Sequence, residues 1–309
     1  MSGPRAASEG RQWDSRSFGS RFQHSLFYAL IRVGGRQAAH FVLFFVVLYY
    51  LVFRPSLRAR STPYLVRRFP HRRGWAQFRD AFRLSLEFGR MLVDRAVLGI
   101  LGPQALRFNV SERENLARLL EEGHGLILLT AHVGAWQMGM TNLSPLAAPI
   151  NLVIHREPGD VDRHFFEHGD QASPLKFIDP TGELGGVLAM LQALKHKEVL
   201  SIMGDRAMGS RGSNVAVTFL GGTVQVPVSP YLLGSATGAP IAVIFPYKTE
   251  TGGYALQIAG VIRVPQDLGR AGSQYQPYAQ EFANALEAFV AEHPYQFFNF
   301  FDLWNLDPA

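Results

Sequence analysis

Hydrophobic and polar positions change rhythm along this chain of 309 residues. Residues 38–53 read AAHFVLFFVVLYYLVF, apolar on every face of a helix, with His40 the only strongly polar residue. A surface helix of a soluble domain keeps one polar face. The run therefore predicts membrane insertion or an interfacial anchor, the competing reading being a buried core helix. A simple span needs about 20 residues, and this run is somewhat short of that. Extending it back over 33–37 adds two glycines and Arg36, whose long side chain can snorkel. Tyr49 and Tyr50 suit an interfacial belt. The run starts too late and is too long for a signal peptide, and no small-residue cleavage site comes after it. Over 78–100, Phe78, Phe82, Leu86, Met91 and Val93 alternate with Arg79, Arg83, Glu87, Arg90 and Asp94. That pattern predicts an amphipathic helix packed under the rest of the chain or on a membrane surface.

From about residue 110 the rhythm shortens. Strand patterns at 126–130, 150–155, 176–178, 199–203, 215–219, 241–247 and 254–258 alternate with helical ones at 111–122, 136–143, 185–195, 230–237 and 275–292. Ser111-x-x-Glu114 offers a capping box for the first of those helices. The alternation implies an α/β fold, a mixed, mainly parallel sheet flanked by helices with its active edge at the strand C-termini. Residues 1–100 then form a basic, membrane-anchoring helical region and 101–309 a catalytic domain. Three polar groups fall at strand ends: His132, His155-Arg156 and Asp205-Arg206.

Composition narrows the chemistry. An apolar fraction of 47% supports a packed core. The chain has no cysteine, which excludes disulfides, thiolate metal sites and an acyl-cysteine intermediate. Residues 1–95 hold 17 of the 30 Lys and Arg and 5 of the 25 Asp and Glu, a net of +12 against −7 for the remainder. A basic front of this kind points to phospholipid, nucleic acid or an acidic carrier protein. The apolar run inside it favours the membrane over nucleic acid. Arginines are denser after the run (54, 58, 60, 67, 68, 72, 73) than before it (21, 32, 36). The positive-inside rule therefore places the chain beyond residue 53 in the cytoplasm.

The strand pattern 126–130 leads into Ala131-His132-Val133-Gly134-Ala135-Trp136-Gln137. A histidine just past a buried strand sits where α/β folds expose catalytic groups, and a neutral imidazole can act as a general base. Gly134 and Ala135 keep the turn small enough for a substrate to approach. Gln137, five positions on, can reach back toward the ring. Asp205-Arg206 reads either as part of the same site or as an ion pair holding its loop. Other chemistries lack their motifs: no G-x-S-x-G elbow, no Walker loop and no dinucleotide fingerprint. His164 and His168 flank Glu167 at metal-like spacing, but no third ligand suggests itself.

Taken in order, the segments resemble the bacterial lipid A biosynthesis acyltransferase family, over nearly the whole chain. Gly19 to His24, Tyr28, Arg32 and Gly35-Arg36 look like its N-terminal membrane segment, and His132 to Gln137 like its His-x4-Asp/Glu box. Ile154-His155-Arg156-Glu157-Pro158 resembles its Arg-Pro strand end. Gly204-Asp205-Arg206, then Val217 to Gly222 and Pro227, resemble its Asp-Arg and Phe-Phe-Gly segments. His293-Pro294-Tyr295-Gln296 with the aromatics Phe297, Phe298 and Phe300 resembles its closing motif.

The resemblance implies that His132 deprotonates a hydroxyl or amine of a lipid acceptor, which attacks the thioester of acyl carrier protein or acyl-CoA. It implies that Arg156 and Arg206 hold phosphate or steady the oxyanion, that Asp205 orients one of the groups, and that Trp136 lies beside the substrate. No cofactor beyond the acyl thioester, no metal and no nucleic-acid partner is expected. Membrane phospholipid is an expected partner, and the expected address is the bacterial inner membrane, with the catalytic domain facing the cytoplasm. One position departs from the pattern: the family has a carboxylate where Gln137 stands. A glutamine oxygen can accept the ring N–H but supplies no charge. That leaves three readings: an acceptor that needs a weaker base, a second carboxylate such as Asp205 in its place, or a non-catalytic protein that binds lipid or acyl carrier.

Overall fold

The computed structural model describes residues 21–109, 111–143, 146, 148–155, 175–180, 186–207 and 213–305. Three helices come first: α1 (Arg21–Phe53), α2 (Pro55–Arg68) and α3 (Trp75–Leu101). The remaining elements are β1 (Phe108–Asn109), α4 (Arg113–Glu121), β2 (Leu126–Thr130), α5 (Trp136–Asn142), β3 (Ile150–Val153), β4 (Leu175–Ile178) and α6 (Val187–Lys195). They continue with β5 (Val199–Met203), β6 (Asn214–Phe219), β7 (Gly222–Pro227), α7 (Ser229–Thr237), β8 (Ile241–Lys248), β9 (Tyr254–Ile262) and α8 (Gln276–Glu292).

Seven strands form one sheet in the order β1-β9-β8-β2-β5-β3-β4. All neighbours are parallel except β8 and β9. The expected mixed, mainly parallel sheet is therefore what forms. Its central strand β2, LILLT, is buried at every position, as a parallel strand covered on both faces must be. Successive side chains alternate between two cores. Ile127 and Leu129 join one with α1, α3, α7 and α8; Leu126 and Leu128 join the other with Leu116 of α4 and Met140 of α5.

Several elements depart from the sequence reading. The helix expected from residue 111 starts at Arg113, and no side chain caps it. The capping box does not form: the Ser111 N–H donates instead to Asn109 Oδ1, at 3.1 Å. Strand β7 closes a hairpin on β6 through Leu220 and Gly221, both in left-handed conformation. Helix α2 begins with Pro55, where a missing N–H costs nothing, and ends in Arg67-Arg68, which suit the negative end of its dipole.

α1 is longer than its apolar run and breaks at Gly35, with φ 66 and ψ −168. Leu26–Phe53 is long and apolar enough to cross a membrane. Within it Ala39, Leu43, Val47 and Leu51, spaced by four, are buried against the protein. Leu43 lies over Gly89 of α3, where a Cβ would come within 2.9 Å of its side chain. The opposite face stays bare: Phe41, Phe45, Tyr49, Val52 and Phe53 are each more than half exposed. α1 is thus neither a core helix nor a free rod, but a helix with one apolar face packed and one uncovered.

The packed face carries a polar pin. Asp94 of α3, with no exposed side-chain area, receives two bonds from Arg36 at 2.7 Å each and one from the Tyr254 hydroxyl at 2.6 Å. His40 Nε2 lies 2.8 Å away. Burial opposes its charge, but these donors outweigh it and hold the carboxyl down at about 2. The cluster joins α1, α3 and β9 across the boundary expected near residue 100.

Candidate active site

The register of two neighbouring parallel strands builds the site. β2 pairs with β5 so that Thr130 lies opposite Met203. Two residues beyond each of these come His132 and Asp205, so the ladder delivers them to the same level at the strand C-termini. The Gly204 N–H donates to the Thr130 carbonyl at 2.8 Å, carrying the pairing one step past the strands. Gly204 sits tightly among side chains: a Cβ there would lie 2.8 Å from the Leu129 tip and 2.9 Å from the Phe282 ring, so both would have to shift.

The carboxylate of Asp205 lies 2.8 and 3.0 Å from His132 Nδ1 and accepts the His132 backbone N–H at 3.2 Å. An ionised carboxylate can only accept, so the proton sits on Nδ1 and Nε2 is the basic nitrogen. Asp205 is 2% exposed in its side chain and His132 24%. Burial pushes the Asp205 carboxyl up, yet the His132 ring, its hydrogen bond and the Arg206 charge together hold it below the ordinary carboxylate range. Burial draws the Arg206 guanidinium down, against the pull of Asp205. Arg206 lies over the Phe301 ring, 5.1 Å from its centroid.

The turn after His132 is clamped from the other side. Phe298 N–H donates to the His132 carbonyl and Gly134 N–H to the Gln296 carbonyl, both at 2.8 Å, with Val133 and Phe297 bridged between them. Gln296 acts as an extra strand residue: its amide accepts from the Lys248 N–H at 2.8 Å and donates to the Lys248 carbonyl at 2.9 Å. Gly134, at φ +46, runs so close to β8 that a Cβ would lie 2.0 Å from the Pro246 carbonyl oxygen. Even alanine would push the turn off β8.

The residues singled out from the sequence divide clearly. His132 and Asp205 come together, and Arg206 lies near enough for its charge to act on Asp205. Gln137, the second residue of α5, is 2% exposed, and no hydrogen bond joins it to His132. The bond to the ring comes from Asp205 instead. Trp136 packs partly buried against the second core, on the α4 side of the sheet. Arg156 lies outside the described residues, as do His164 and His168. Among the described residues no group of three His, Asp or Glu gathers as a metal site. The segment 295–298 is visible as a motif, but its pairing with the histidine turn spans about 160 residues and leaves no local signal.

A seven-stranded α/β core with a histidine–aspartate pair at adjoining strand ends defines the class, and similarity to known proteins narrows it. The family model described as bacterial lipid A biosynthesis acyltransferase matches residues 86–305, and the chain belongs to that family. It is also similar to the phosphatidylinositol mannoside acyltransferase of Mycolicibacterium smegmatis, with 26% identity over 225 residues. The match takes in 70% of this chain and 65% of that relative, just under two thirds of the relative's length.

Proposed function

We propose that this protein transfers a fatty acyl chain from an acyl thioester to a hydroxyl or amine of a lipid acceptor. The observation that carries the reading is the 2.8 Å contact between His132 Nδ1 and Asp205. It supports a tautomer with the proton on Nδ1, in which Nε2 serves as the general base. In the proposed step Nε2 takes the proton as the acceptor oxygen or nitrogen attacks the thioester carbonyl. The tetrahedral adduct then expels the thiolate, which recovers that proton from the imidazolium. An ester or amide and a free thiol result, with no acyl-enzyme.

Asp205 supplies the charge that steadies the imidazolium, the part Gln137 does not play. Arg206, and Arg156 by the family resemblance, are assigned to the oxyanion or to a phosphate of a substrate. The acyl donor is read as acyl carrier protein, suited to a basic front, or as acyl-CoA. The bare face of α1 is read as the membrane contact. Because the opposite face is pinned to α3 and β9, an interfacial helix fits the packing better than a free span. The denser arginines after it support a reading in which the catalytic side faces the cytoplasm at a bacterial inner membrane.

The deciding experiment profiles the lipids of producing cells by mass spectrometry, comparing wild type, His132→Ala and Asp205→Asn, with protein levels matched. A lipid that gains one acyl chain only in the wild type is expected, and it would identify the acceptor. Equal profiles in all three would overturn the reading in favour of a non-catalytic lipid-binding protein.

A further inference from the structure

A second feature lies beside the membrane-facing helix and takes no part in the chemistry above. One stripe of α3 and Tyr295 line an open cleft of about 470 Å³. Its apolar floor is Phe82, Leu86 and the Tyr295 ring; its charges are Arg79, Arg83, Arg90 and Glu87. Glu87 is already neutralised, by Arg90 at 2.6 Å and Lys248 at 3.3 Å. Tyr295 spends its hydroxyl on Asp80, which Arg72 also holds. Arg79 and Arg83 are exposed and, among the described residues, neither makes a hydrogen bond or ion pair. Arg83 only overlies the Tyr295 ring, at 5.6 Å. Two uncommitted guanidinium groups over an apolar floor match a phosphate ester that carries a hydrocarbon tail.

The surroundings say where such a molecule comes from. Phe82 meets Phe44 of α1 edge to face at 5.1 Å, and Phe44 meets Phe45 at 5.4 Å. The floor of the cleft is therefore continuous with the bare aromatic face of α1. Trp75, one turn before Arg79, is 77% exposed, a placement typical of the headgroup layer. Anionic headgroups also accumulate arginines near the surface. We infer that this cleft binds the headgroup of a single anionic phospholipid of the bilayer, its phosphate between Arg79 and Arg83 and the first carbons of its chains against Phe82 and Phe44. The site does not depend on the His132 chemistry, and its test reads binding alone.

The full-length protein in neutral detergent is titrated calorimetrically with dihexanoyl phosphatidylglycerol. Saturable binding of one lipid per chain is expected. Arg79→Gln with Arg83→Gln should weaken it about tenfold per arginine. Arg32→Gln with Arg54→Gln removes the same charge from the basic front outside the cleft and should leave it intact. His132→Ala should also leave it intact, and coenzyme A should not compete. Inorganic phosphate, which cannot use the floor, should bind far more weakly. Equal loss in both arginine pairs would reduce the site to diffuse surface charge and overturn the inference. So would loss in His132→Ala, which would move the lipid to the catalytic site, or competition by coenzyme A, which would give the cleft to the donor.

Discussion

Two regions of this molecule are built on the same pair, a buried aspartate with a histidine nitrogen at 2.8 Å. At the root of α1, Asp94 is saturated: Arg36 takes both its oxygens, and Tyr254 and His40 fill what remains. At the strand ends, Asp205 spends its hydrogen bonds on His132, through ring and backbone. The histidines are similarly exposed, 19% and 24%. The difference lies in how much of the carboxylate is already committed. Arg36 reaches both oxygens of Asp94, and His40 and Tyr254 add to its hold, so the cluster holds position. On the proposed function, Asp205 keeps its negative charge for an imidazolium formed while a proton is in transit. A His–Asp contact then serves as a lock or as part of a base according to what else reaches the aspartate.

The comparison breaks most visibly in turnover. His132→Ala is expected to cost roughly 10²–10⁴ in acyl transfer, and Asp205→Asn a loss of the same order, as in serine proteases where it costs about 10⁴. His40→Ala should leave turnover per folded molecule unchanged; a comparable loss there would erase the distinction. Next in size, Asp94→Ala should lower stability by about 2–3 kcal/mol in thermal or urea unfolding. That is less than a fully buried pair loses, because Arg36 stays 26% exposed. Tyr254→Phe should cost about 1–2 kcal/mol, the worth of one bond to a charged acceptor.

Acid separates the two regions further. Asp94 has a lowered folded-state pKa, about 2 against an ordinary 3.8, so its contribution is complete above the ordinary value and fades as pH falls from there toward 2. Unfolding titrations of wild type and Asp94→Asn should converge across that window. The smallest effect is expected from Gln137→Glu. Asp205 already provides the charge, and position 137 is buried, so a second carboxylate should bring no gain in turnover. A clear gain would show that the site lacks a charge where the family pattern has one.

What the sequence disclosed depended on whether the signal was local. Strands β2 and β5 fall where the apolar runs predict them, since their burial comes from short unbroken stretches such as LILLT. The histidine at the end of β2 is legible for the same reason. Asp205 is legible as a strand-end candidate and as one alternative source of the charge, but its pairing with His132 is not, because 73 residues separate them and only the β2–β5 register aligns them. Gln137 suggests itself as the orienting group only because it is near in sequence. α2 leaves little trace because its Arg- and Pro-rich segment PSLRARSTPYLVRR is polar on balance and buries only Ser61, Tyr64 and Leu65. β1 is two residues long, too short for any pattern. The apolar run of α1 is legible as long and apolar, but that one face of it is packed and pinned comes from Asp94 and Tyr254, far along the chain.

The bridge between Val133 and Phe297 also imposes a schedule. Chains are made at about 5–20 residues per second, and folding of the emerged part proceeds meanwhile. The histidine turn therefore waits on the order of 10–30 seconds for the segment that clamps it, while α1 is synthesised before either. The apolar helix is therefore complete long before the histidine turn can be held in place, so the order of synthesis itself delays any chemistry that depends on the turn.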